Sequence, residues 1–176
     1  MSDLLIHSRR PDPDGCVISV TPESAHWHYV GFEVYHLAEG QQLDGNADAN
    51  ELCFVILSGK AEMAVNQKSF GVLGERMNVF EGLPWSVYVP RQSIYTVKAL
   101  TPLELTICKA PAKQVLEARV IAPTDIMQET RGQGTNIRYV RNILPDTSPH
   151  AEALLVVEVI THGGHWSSYP PHKHRS

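Results

Sequence analysis

His172-Lys173-His174 is where residue type and spacing in this chain most directly suggest chemistry. On a β-strand, residues two apart point to the same face, so His172 and His174 can offer two imidazoles to one metal ion. Pro170 and Pro171 restrict the backbone just before them. A metal site takes at least a third protein ligand, and none follows nearby. The competing reading is a flexible tail. A second His-x-His, His26-Trp27-His28, precedes the first strong strand and has no partner ligand at matching spacing. Surface histidines are expected there. His36 lies within a strand and reads as a hydrogen-bonded side chain. Glu33, Glu62 and Glu75 could act as general acids or bases, but no spacing singles out a pair, so solvated strand faces are expected for them.

These residues belong to a chain of 176 residues with 43% hydrophobic content and a formal net charge of −4. That is a globular composition with room for one domain or slightly more. No Lys/Arg block is present, so neither a nucleic-acid partner nor an anionic membrane surface is expected. No apolar run approaches the ~20 residues of a spanning helix, and the N-terminus lacks a sustained apolar segment of the secretory type. The expectation is a cytoplasmic protein. Cys16, Cys53 and Cys108 are few, odd in number and widely spaced, which argues against a disulfide framework or zinc knuckle. Cys53 and Cys108 sit in apolar runs and read as buried free thiols.

The elements that must position the histidines are short strands between turn residues. Candidates are 32–37, 51–57, 61–65, 77–80, 86–89, 94–100 and 103–108, with a polar loop at 38–50 and a turn at 66–68. Short strands at this spacing predict an antiparallel sandwich or barrel. Ala112–Ile121 is rich in helix formers between prolines and reads as a short helix or linker. A new β-unit follows, with a strand over 136–144 and a strong apolar one over 153–160. Residues 1–122 are therefore expected to form one barrel, and 123–176 the start of a second, with too few strands to close.

Glu51 to Met63 has the shape of a cupin core: a buried strand, a tight turn at Gly59 and a return strand. Tyr88-Val-Pro90-Arg-Gln92-Ser-Ile-Tyr95 fits the second cupin motif, with Gln92 at its glycine position and Tyr95 at its histidine position. A phenol must lose a proton with a pKa of about 10 to bind a metal as its anion. Asn46-Ala47-Asp48 stands where His-x-His is usual. The first unit reads as a metal-free cupin.

The run Gly164-His165-Trp166-Ser167-Ser168-Tyr169-Pro170-Pro171-His172-Lys173-His174 resembles the signature of the 5-deoxy-glucuronate isomerase family of myo-inositol catabolism, related to the uronate ketol-isomerase of pectin breakdown. Phe80 to Pro90, Glu51 to Gly59, and Gly134 to Pro145 resemble it too, in order along nearly the whole chain. The resemblance implies an all-β bicupin whose first barrel lacks a metal and whose second binds a divalent ion, zinc in the related enzyme. His172 and His174 match the first two metal ligands. The family pattern continues with a glutamate and a third histidine, so the chain reads as C-terminally truncated, with an incomplete second barrel. The implied reaction is an aldose–ketose isomerisation of a small sugar acid, for which Arg138 and Arg141 are available to bind the carboxylate. The alternative is a non-catalytic cupin serving as a structural or sugar-binding module. A homo-oligomer stays open on either reading.

Overall fold

A computed structural model describes residues 5–167. The strands are β1 (Cys16–Val20), β2 (Gly31–Leu37), β3 (Gln42–Asn46), β4 (Asn50–Ser58), β5 (Ala61–Val65), β6 (Lys68–Leu73), β7 (Ser86–Val89), β8 (Ile94–Ala99), β9 (Leu103–Pro111), β10 (Arg119–Ile121), β11 (Met127–Arg131), β12 (Arg138–Leu144) and β13 (Val156–Ile160). One four-residue helix, α1 (Pro22–Ala25), is capped by Thr21. Among the described residues no helix is long and apolar enough to cross a membrane.

Two antiparallel sheets face each other, with orders β1-β2-β9-β4-β7-β10 and β3-β8-β5-β6, and enclose the first core. This is the all-β cupin barrel expected of the first half. Its inner face takes alternate residues: Leu52, Phe54 and Ile56 from β4, Leu105 and Ile107 from β9, Val87 and Val89 from β7. The other residues of the same strands, Cys53, Val55, Tyr88 and Ala110, enter a second core with Ile143, Leu144, Leu154 and Val156. β4 is thus covered on both faces. That is why it reads as an unbroken apolar run rather than an alternation.

The β5–β6 hairpin turns on Asn66 and Gln67, both at positive φ (48° and 67°), the two-residue loop geometry matched to strand twist. The Asn66 side chain then holds the next hairpin through Ser93 Oγ and the Ile94 N–H. Gly59 closes the β4–β5 turn at φ 94°, where a Cβ would lie 2.3 Å from the Pro102 carbonyl oxygen. Only glycine fits there.

β11, β12 and β13 form a separate three-stranded sheet, packed on the barrel through the second core and fastened to it at points that include two glutamates. Glu51 of β4 is fully buried. Its carboxylate accepts from the Tyr88 hydroxyl at 2.7 Å and from the backbone N–H groups of Glu152, Ala153 and Leu154 at 2.9, 2.6 and 2.6 Å. At the second point Glu158 of β13 binds Arg76 through both oxygens, at 3.0 and 2.7 Å, and Arg141 of β12 at 2.5 Å.

Several local expectations fail for identifiable reasons. Of the two readings of Ala112–Ile121, helix or linker, the helix fails: residues 112–118 run as a connection in which the Glu152 carboxylate accepts the N–H groups of Lys113 and Gln114, and residues 119–121 pair with β7. Tertiary contacts override the helical composition. Residues 77–80 form an irregular loop rather than a strand. There Asn78 Oδ1 accepts the Phe80 N–H, and the Val79 carbonyl accepts from Arg76 and Arg141. The polar loop at 38–50 contains β3, paired with β8.

Candidate functional site

The proposed metal ligands, His172 and His174, lie outside the described residues. The described chain on their N-terminal side, up to Trp166, is tied to the residues that lead into and form β12. His165 Nδ1 lies 3.1 Å from the Ile137 carbonyl oxygen, and the Trp166 N–H donates to the Thr135 carbonyl at 2.8 Å. His162 packs edge-on between Tyr139 and His165, with ring centroids 5.4 and 5.9 Å apart. His162 carried no motif in the sequence. Its proximity to His165 comes from the turn at Gly163-Gly164, where the His165 N–H returns to the His162 carbonyl. Among the described residues, no group of three or more His, Cys, Asp or Glu side chains is arranged to hold a metal ion.

Strand register separates the two arginines proposed for carboxylate binding. Arg138 and Arg141 are three residues apart on β12 and therefore face opposite ways. Arg141 faces the barrel and is committed to Glu158 and the Val79 carbonyl. Arg138 shares the opposite face with Glu129, Val140, Asn142, Val157 and Val159, and donates only to the Asn136 carbonyl among the described residues. On this face Glu129 accepts from Arg131 and from Asn142 Nδ2, and those bonds lower its pKa below the ordinary carboxylate range.

A second polar cluster lies inside the first barrel, at one mouth. Glu33 of β2 accepts from Lys109 of β9 at 2.7 Å and from the Tyr35 hydroxyl at 2.9 Å. Burial, reinforced by Glu33, raises the Tyr35 pKa. The pair opens on a cavity of about 320 Å³ bordered by Thr21, His28, Tyr29 and Asn50. Deeper in, Tyr95 occupies the position where the motif would place histidine. Its ring packs edge-to-face on Phe54 at 4.8 Å, and burial first, then Glu33, Asp48 and Asp44, push its pKa up to about 12. Gly45 leaves room for it, since a Cβ there would lie 2.2 Å from the phenol oxygen. Gln92 takes the φ of 60° that the motif's glycine would supply freely.

The remaining candidates are placed individually. His26 and His28 are exposed. His36 lies 3.3 Å from Glu104 on the surface. Glu62 and Glu75 are solvated, whereas Glu33 is not. Cys16, Cys53 and Cys108 are free thiols. Burial, then Cys108 and Glu51, push the Cys53 pKa well up, and burial raises that of Cys108 to about 11.

Known proteins match this chain along its length. A protein of Geobacillus thermodenitrificans called 5-deoxy-glucuronate isomerase is 50% identical over 175 residues, covering 99% of this chain and 64% of its own length. One of the same name from Halalkalibacterium halodurans is 41% identical over 159 residues, covering 90% and 59%. The crystal structure of an IolB-like protein from Salmonella typhimurium LT2 superposes with a TM-score of 0.87 at 40% identity, over 93% of this chain and 62% of the other. This chain spans less than two thirds of the length of each of these relatives. With residues 4–176 matching the family's sequence pattern, the chain belongs to the KduI/IolB family.

Proposed function

We propose that the chain carries the activity of its isomerase relatives: a divalent-metal-dependent aldose–ketose isomerisation of 5-deoxy-D-glucuronate to 5-dehydro-2-deoxy-D-gluconate. The 50% identity over 99% of the chain carries this reading. The reaction moves a proton between adjacent carbons through an enediol. His172 and His174 would hold the ion, and imidazole is a suitable donor for zinc. When bound, such an ion would act as a Lewis acid toward the carbonyl and its neighbouring hydroxyl. Two imidazoles are fewer than the three protein ligands of a catalytic zinc site, so we propose that the second unit, from about residue 123, functions only with further ligands beside these two. His162 and His165, packed edge-on against each other, tie the last described residues to the second sheet. Arg138, on the sheet face away from the barrel, is the arginine suited to the substrate carboxylate, because Arg141 is already paired.

The test is a chimera in which these 176 residues replace the matching segment of the Geobacillus thermodenitrificans relative. Turnover of 5-deoxy-D-glucuronate with zinc, lost in the His172→Ala/His174→Ala double variant, is expected. A folded, zinc-loaded chimera without turnover would overturn the proposal.

The mouth of the first barrel favours a second reading, a sugar-binding module. Glu33, Lys109, Asn50 and Tyr29 border a cavity of about 320 Å³ with both donors and acceptors, which suits a neutral polyol. Loss of polyol binding in Lys109→Met, with isomerisation intact in the chimera, would assign the two roles to separate sites.

A further inference from the structure

A cleft of about 540 Å³ opens between β6, the extended run before β10, and the loop at Pro149. That volume lies within the range of roughly 300–1,000 Å³ typical of small-molecule sites. Arg119 of β10 borders it, and its Nε is fully buried without a hydrogen-bond partner among the described residues. A buried donor left unpaired is costly. Arg76 and Arg91 also leave a buried Nε unpaired, but the terminal nitrogens of Arg76, like Arg141 Nη1, are neutralised by Glu158, whereas no described carboxylate lies within ion-pair reach of Arg119.

The rest of the lining points to the same chemistry. Lys68 lies 5.6 Å from the centre of the Phe70 ring. It contacts Glu117 at 3.3 Å, with side chains 59% and 86% exposed. A pair so exposed contributes little, and an incoming anion can replace it. Two positively charged residues, Arg119 and Lys68, line the cleft with one negative one, Glu117, and with His150.

We propose that this cleft is a binding site for a small organic oxyanion, a carboxylate or phosphate whose body rests on Phe70 and whose charge is held by Arg119 and Lys68. It is separate from the isomerase reading and does not depend on it.

The full chain, kept in a metal chelator, is titrated with D-gluconate, inorganic phosphate and neutral D-glucose, with amide NMR shifts as the readout. Saturable binding of an anion and none of glucose is expected, with shifts centred on residues 68–70 and 116–120. Gluconate alone, or phosphate alone, identifies which oxyanion the cleft takes. Arg119→Ala should weaken binding about tenfold or more, and Glu117→Gln should tighten it by freeing Lys68. The His172→Ala/His174→Ala variant should bind as before. Failure of every anion to saturate, equal binding of glucose, or unchanged affinity in a folded Arg119→Ala protein would overturn the proposal. If Arg119→Ala does not fold, Lys68→Ala, altered at an exposed side chain, decides: unchanged affinity there overturns it as well.

Discussion

Replacing Glu51 with alanine removes the carboxylate that fastens residues 152–154 to the barrel. Four donors lose their acceptor: the Tyr88 hydroxyl and the N–H groups of Glu152, Ala153 and Leu154. Those of Glu152 and Ala153 lie partly open to solvent and can regain water. The bonds from Leu154 and Tyr88 are buried, and each orphaned donor costs about 1–3 kcal/mol. The vacated volume adds a smaller cavity penalty. A loss of about 4 kcal/mol follows, within the large-effect class for single substitutions. For a chain of this size that lowers Tm by about 10 °C. Glu51→Gln keeps the shape and one carbonyl for Ala153 and Leu154 but turns an amide donor toward the Glu152 N–H, so an intermediate loss of about 2 kcal/mol is expected. Thermal unfolding measures the total, and amide hydrogen exchange at Glu152, Ala153 and Leu154 localises it. A Glu51→Ala protein with a Tm within about 2 °C of the parent and unchanged exchange at those amides would refute the reasoning.

Arg76 has a side chain only 3% exposed and binds Glu158 through both oxygens. Arg76→Ala should therefore cost about 3–5 kcal/mol in denaturant unfolding, with the Glu158–Arg141 bond persisting. The Glu152 pKa is held down by the Gln114 and Lys113 N–H groups. A depressed carboxylate stabilises the fold above its ordinary pKa, near 4.5, and loses that contribution as pH falls through its lower folded value. Glu152→Gln should accordingly flatten the acid limb of the Tm-against-pH curve. The fully buried Cys53 thiol, its pKa pushed well up by burial, should resist iodoacetamide in the folded protein at neutral pH and react promptly once urea unfolds it. Labelling at equal rates in both states would contradict its burial.

Short apolar or alternating runs between turn residues made β4, β5, β7 and β12 legible, because each presents branched or aromatic residues to a core. β3 and β11 escaped notice because Gln42–Asn46 and Met127–Arg131 are mostly polar, and pairing rather than packing defines them. The Ala112–Ile121 composition misled because the acceptor that fixes Lys113 and Gln114 lies 39 and 38 residues away. Glu51 and Glu158 were invisible as fasteners for the same reason, since Glu51 meets partners 101 to 103 residues later. The His172–His174 motif was legible in the sequence as donor chemistry, and both residues lie outside the described ones. That Arg138 and Arg141 face opposite ways needed only strand parity, once β12 was placed.

β4 serves as a party wall between two rooms. Phe54 leans into one core and Val55, its neighbour, into the other. Neither room can be emptied without stripping the wall on one side, so the barrel and the added sheet should melt in a single calorimetric transition rather than two. Cutting the chain after β10 would leave Cys53, Val55, Tyr88 and Ile121 facing water as one contiguous apolar patch. The attached sheet thus acts as a cover that helps keep the barrel soluble, quite apart from any ligand it holds.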